Sequence, residues 1–261
     1  MSRVADQALP LQHWCVLSLR PRGQHAGLRA AATRLGARTL ALSPFAIDAL
    51  DNAPTRAALK QALRADIVLY TSPNAVAMAM AASMQALQAR RGQRVLAVGG
   101  GTARALQRHG IIALAPQRMD SEGLLAMPEL ADVAGQRIGL ITGTGGRNLL
   151  APALRKRGAE VQRVDVYARV LLAPTPQALE KLRAALADAR HVLLPLSSGE
   201  ALQQLLAELP TDLRNPFTRI AVVAASARLA EAARGAGFRR IATASDARPA
   251  ALLHAAVRAF G

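Results

Sequence analysis

Residues 65–80 read ADIVLYTSPNAVAMAM, and residues 189–205 read ARHVLLPLSSGEALQQL. In both, an apolar run short enough for a buried strand (Ile67 to Tyr70; Val192 to Leu196) gives way to hydroxyl residues and then to a stretch with helical spacing. A second unit of the same kind follows each one: RVLAVGGGTARALQRHGI over 94–111 and RIAVVAASARLAEAARGAGF over 219–238, with glycines Gly110 and Gly237 at the helix ends. The offset of about 125 residues marks an internal repeat, two copies of one βα architecture in a single chain.

Outward from this repeat, apolar runs alternate with Ala/Leu-rich stretches along the whole length, as in βα units built on parallel sheets. Further strands are expected at Val16 to Leu19, Thr39 to Leu42, Val95 to Val98, Ile111 to Leu114, Ile138 to Ile141, Val161 to Val166, Ile220 to Val223 and Arg240 to Ala242. Helices are expected between them, among them Asn74 to Ala89 and Arg147 to Arg157. Ten strands are too many for one small doubly wound sheet, so the expectation is an α/β protein of two flavodoxin-like lobes. Proline-marked exits at Pro44 and at Ala173-Pro174-Thr175-Pro176 divide the chain. The first lobe is then discontinuous (1–43 and 174–261), the second runs over 48–166, and 44–47 with 167–173 form a two-stranded linker beside an inter-lobe cleft.

Composition narrows the class. The 261 residues are 51% hydrophobic and 19% charged, which excludes a disordered chain and leaves a globular protein with an ample core. The 33 basic and 17 acidic side chains give a net charge of +16. Thirty of the basic residues are Arg and Ala occurs 58 times, a skew that GC-rich coding alone would produce. The charge therefore reads either as a solvated basic surface or as a demand for an anionic partner. Nucleic acid fits poorly, because there is no five-residue basic run and the seven aromatic residues are scattered. Cys15 stands alone, which excludes a disulfide framework, and the five histidines have no metal-ligand spacing. Met1 to Leu9 lacks the character of a signal peptide, and no stretch approaches the ~20 apolar residues of a membrane span, so a soluble cytoplasmic protein is expected.

In open α/β sheets, ligands bind beyond the carboxyl ends of the strands, where helix N-termini present unpaired N–H groups. The residues that follow the expected strands are Arg20-Pro21, Thr71-Ser72-Pro73-Asn74, Gly99-Gly100-Gly101-Thr102, Thr142-Gly143-Thr144-Gly145-Gly146-Arg147, Ser197-Ser198-Gly199 and Ala224-Ala225-Ser226. Taken singly these are N-caps and turns. None of the six exits carries an acid, and each helix terminus favours an anion by ~0.3–1 kcal/mol, so together they point to a ligand with several carboxylates or phosphates. Neither glycine-rich turn has the third glycine of a dinucleotide fingerprint, no Walker lysine follows them, and no nucleophile elbow surrounds Ser72, Ser197 or Ser226. Tyr167, at the end of the strand ending in Val166, is either a packed rim residue or a phenol placed to pass a proton in the cleft.

The order and spacing of Arg20-Pro21, TSPNAV, VGGGTARAL, SEGLL (121–125), GGRNLLAPALRKRGAEVQRVDVYAR ending beyond Tyr167, and LLPLSSGEAL resemble the uroporphyrinogen-III synthase family, from about Val16 to Phe260. The resemblance implies the two-lobed fold, no cofactor and no metal, and a monomer. It implies dehydration and cyclisation of hydroxymethylbilane, a linear tetrapyrrole with eight carboxylates, with inversion of ring D through an azafulvene cation and a spiro intermediate. On the same basis Tyr167 takes the catalytic position near the leaving hydroxyl. Arg20, Thr71, Ser72, Asn74, Gly99, Gly100, Thr102, Gly145, Arg147, Ser197, Ser198 and Ser226 become candidate substrate-binding residues. The chain departs from the family at 226–230, where Leu229 stands in place of a hydroxyl residue. A non-catalytic, two-lobed anion- or tetrapyrrole-binding protein is the other reading of the same exits.

Overall fold

The computed structural model describes residues 9–83, 89–145 and 148–261. In chain order its elements are β1 (Cys15–Ser18), α1 (Ala26–Arg34), β2 (Arg38–Ala41), β3 (Phe45–Ala49), α2 (Ala53–Ala62), β4 (Ile67–Tyr70), α3 (Pro73–Ala82), β5 (Arg94–Ala97), α4 (Gly100–Gln107), α5 (Ser121–Leu125), β6 (Arg137–Gly143) and α6 (Leu150–Lys156). There follow β7 (Glu160–Leu171), α7 (Pro176–Leu186), β8 (Val192–Leu196), α8 (Gly199–Glu208), α9 (Thr211–Thr218), β9 (Ala221–Ala224), α10 (Ala227–Gly235), β10 (Arg240–Thr243) and α11 (Pro249–Phe260).

The strands that read as unbroken apolar runs are buried on both faces. Every residue of β1, β4, β8 and β9 is buried, the condition that makes a parallel strand apolar throughout rather than alternating. Helix starts are fixed locally. Asn52, Ser72, Asp120, Thr175, Ser198 and Ser226 each accept the N–H three residues on, and Pro73, Pro176 and Pro249 occupy first helical positions.

Two compact units result, one made of the chain up to Ala46 together with Leu171–Gly261, the other of Ile47–Val170. The first holds a five-stranded sheet of order β2-β1-β8-β9-β10, parallel throughout, which is the flavodoxin order. The second holds a sheet of order β5-β4-β6-β7-β3. Its first four strands are parallel. One layer, including Val76, Ala79 and Leu106, packs on the face that carries Tyr70 and Ile141, and another, including Leu124, Leu130 and Leu154, packs on the opposite face.

At one edge of the second sheet lies β3, which overlaps the segment 44–47 expected as a linker strand. β3 lies antiparallel to β7, as the bonds Leu50 N to Val166 O (3.0 Å) and Leu172 N to Pro44 O (2.9 Å) require. At the other edge Ile111 to Leu114 does not form a strand. Only the bridge Leu96↔Leu114 forms, and Ile112 is 88% exposed, so this apolar segment has nothing to cover its outer side. α3 ends at Ala82, and the rest of the expected helix to Ala89 falls largely outside the described residues. α6 begins at Leu150 rather than Arg147, which is itself outside the described residues. No described helix is long and apolar enough to cross a membrane.

Candidate functional site

In each sheet the strand order reverses at one point, between β4 and β6 in one unit and between β1 and β8 in the other. At such a point the two following connections diverge and leave a crevice at the carboxyl ends of the strands.

In the unit formed by Ile47–Val170 the crevice is rich in hydroxyls. Thr71 follows β4, Thr142 lies near the end of β6, and the Thr71 hydroxyl donates to Thr142 Oγ1 at 2.8 Å. Ser72 Oγ accepts the Ala75 N–H at 3.0 Å as the cap of α3, and stands 3.1 Å from the phenolic oxygen of Tyr167. Tyr167 is only 4% exposed, so its hydroxyl is held by Ser72 rather than left in water. A cavity of about 170 Å³ opens here, lined by these residues with Thr144, Gly145, Asn148, Arg163 and Arg169, and none of the described lining residues is a carboxylate. Arg163 Nη1 donates to Asn148 Oδ1 at 2.8 Å and Nη2 to the Gly143 carbonyl at 3.3 Å, which ties the β6–α6 loop to β7. Asp165 Oδ1, 2.8 Å from Nη2, balances its charge.

In the other unit the crevice is opened by a proline. β1 and β8 pair only at Cys15↔Val192 and Val16↔Leu193, and the ladder stops before Pro195. The Leu196 carbonyl accepts the N–H of Ala225 on the β9 side, so alternation turns the nitrogen of Pro195 toward β1, where a proline has no hydrogen to donate. Arg20, Ser197 and Ser198 line the resulting recess. Burial pushes the Arg20 guanidinium below its ordinary value, and no described residue forms an ion pair or hydrogen bond with it. An unpaired, half-buried cation at a strand switch is what a carboxylate would complete. Beneath it lies His25, 8% exposed, with Nδ1 2.8 Å from Ser18 Oγ and Nε2 2.9 Å from Ser43 Oγ. Burial foremost, then Arg29 and Arg20, hold the His25 pKa below its usual range. Among the described residues, no group of three His, Cys, Asp or Glu side chains could hold a metal ion.

The family model described as "Uroporphyrinogen-III synthase HemD" matches residues 27–254. The chain belongs to the uroporphyrinogen-III synthase family. Uroporphyrinogen-III synthase of Escherichia coli is 38% identical over 199 residues, 73% of this chain and 78% of that protein. The crystal structure of a mutant uroporphyrinogen III synthase from Thermus thermophilus matches with a TM-score of 0.63 at 25% identity, covering 94% of this chain and 98% of that one. A uroporphyrinogen-III synthetase from Helicobacter pylori, at 16% identity and a TM-score of 0.58, shares the fold.

Within this family member two groups of the candidate residues line the crevices. Thr71, Ser72, Gly145 and Tyr167 line one cavity, and Arg20, Ser197 and Ser198 line the recess of the other unit. Ser226 caps α10 at the next strand exit, and Asn74 sits in the first turn of α3, half-buried. Gly99 and Gly100 open α4 but lie beneath Met119, whose Cβ would be 3.0 Å from a Cβ added to Gly99. Thr102 is 2% exposed, on the packed side of α4, because the third residue of that helix faces inward. Arg147 lies outside the described residues. Leu229 is 4% exposed and contacts the Gly199 turn, so this position serves packing. Asn148, Arg163 and Arg169 line the cavity without having been singled out in the sequence; Thr142, quoted there as part of a strand exit, lies within β6, which extends to Gly143 rather than stopping at Ile141.

Proposed function

We propose that this chain acts as a uroporphyrinogen-III synthase, a lyase that dehydrates and cyclises hydroxymethylbilane with inversion of ring D, and that it works as a cytoplasmic monomer without a cofactor. Family membership supports the reaction. The observation that carries the site is the Tyr167 phenol, held 3.1 Å from Ser72 Oγ at a strand switch, over a cavity with no acid among its described lining residues.

In this reading Tyr167 donates its proton to the terminal hydroxyl as the C–O bond breaks, water leaves, and the pyrrole nitrogen takes up the positive charge. Ser72, already fixed by the Ala75 N–H, orients the phenol, and the proton released when the closed product regains aromaticity restores it. The substituted carbon of ring D then attacks the cation. The linear substrate closes unaided to the wrong isomer, so the enzyme's contribution is chiefly positioning and electrostatics. Each unit has its own cations and hydroxyls able to hold carboxylates: Arg20, Ser197 and Ser198 in one, Thr71, Thr142, Arg163 and Arg169 in the other. We infer likewise that residues 44–47 and 167–173 link two lobes, a division supported by unit boundaries that fall inside β3 and β7.

The test is isomer analysis of product formed from hydroxymethylbilane by the purified protein. Isomer III is expected; isomer I alone, with substrate bound but not turned over, would leave only a tetrapyrrole-binding protein. Tyr167→Phe should lower kcat by about 10²-fold or more, the scale of lost general acid catalysis, with unfolding temperature little changed.

A further inference from the structure

Side chains paired across parallel strands share a face, and successive residues alternate between faces. Ile141 pairs with Val164 and Thr142 with Asp165. Continued regularly, this register would pair Gly143 with Val166 and turn Tyr167 to the Asp165 face. Instead the register shifts between Thr142 and Gly143, and Gly143 pairs with Tyr167. One extra residue in β7, Val166, makes this a β-bulge, a device that re-aims a side chain. Tyr167 thereby joins Tyr70, Val76, Ile141 and Val164 in the layer packed against α3.

From that face the phenol still has to reach Ser72, which follows β4, and β6 lies in between. Two strand spacings amount to roughly 9–10 Å, so the ring must cross directly over β6. It does so over Gly143: a Cβ added there would lie 2.3 Å from Tyr167 Cζ and 2.4 Å from Cε2. The Gly143 backbone is not in the left-handed region, so the missing side chain serves the ring and not the turn.

We propose that Gly143, together with the bulge at Val166, is the positioning element of this active site, the gap through which Tyr167 crosses β6 to Ser72. This rests on the reading of Tyr167 as the residue that handles the leaving hydroxyl. Gly143→Ala displaces the ring and should lower kcat about 100-fold, the scale of an angstrom-sized misplacement, with little change in KM. In the Tyr167→Phe background the same alanine should cost no further turnover, because no hydroxyl remains to be aimed. Independent, multiplicative losses would overturn the proposal. If Gly143→Ala folds poorly, Tyr167→Ala in that background should restore its unfolding temperature by removing the crowding; no restoration overturns it equally.

A spectroscopic readout separates this proposal from the catalytic reading. The chain has two tyrosines, Tyr70 and Tyr167, so ζ-carbon-labelled tyrosine gives two NMR resonances. Gly143→Ala should move the Tyr167 resonance and leave that of buried Tyr70 in place. If Tyr167→Phe proves fully active, the catalytic reading falls while a shifted resonance still upholds the crossing. An unshifted resonance removes the crossing itself.

Discussion

At the scale of single residues, two glycines in one strand have different uses. Gly139 lets β6 and α2 touch: a Cβ there would lie 2.1 Å from the Ala62 carbonyl oxygen. Backbone cannot swing aside as a side chain can, so Gly139→Ala should destabilise by at least the ~1–3 kcal/mol typical of overpacking, read as a lower urea midpoint. Gly143 gives way to a ring, so its substitution should register first in turnover. His25 is a buried residue that acidification would charge. Its folded pKa lies below the ordinary 6.5, so the unfolded chain takes up the proton first. Its contribution is therefore complete above about pH 6.5 and is lost as pH falls. The urea midpoint should drop from pH 7 to pH 5, and His25→Asn should flatten that drop. Arg20 and Arg29 face the ring, so its protonation would add a third positive charge.

At the scale of elements, the caps were legible because each is a local pairing of a short polar side chain with an N–H three residues on. Ser198→Ala should cost about 1 kcal/mol, measured by chemical unfolding, since it removes the cap of α8. Strands buried on both faces were legible too: IVLY and VLLPL admit no other environment. What escaped was whatever depends on a neighbour. FAIDA in β3 is an edge strand with only Phe45 fully buried; the proline exit marked 44–47 as a linker strand, but its place in the second sheet depends on β7. Ile111 to Leu114 has that signal but no partner beyond Leu96. The bulge in β7 is a relation between two strands and leaves no mark in either sequence alone. Of the site, Tyr167, Ser72 and Arg20 could be found from their places after strands. Arg163 could not, because it is a strand residue whose role emerges only when β6 and β7 are laid side by side.

At the scale of the whole molecule, the excess of 16 positive charges acts as a field. For a substrate with several carboxylates the capture step should weaken as salt screens that field, so KM should rise between 50 and 300 mM NaCl while kcat stays level. The units' own stability should not fall over the same range, since the ion pairs among the described residues are mostly exposed and worth little. One consequence of the topology belongs to the chain's birth on the ribosome. β1 is an interior strand of its sheet, yet its partner β8 is separated from it in sequence by the whole of the other unit. At ~5–20 residues per second, the hydrophobic CVLS segment waits roughly 10–30 s for β8 to be synthesised, while the contiguous unit 47–170 can fold meanwhile. The first strand made is among the last to be covered, and a nascent-chain chaperone would find its client there.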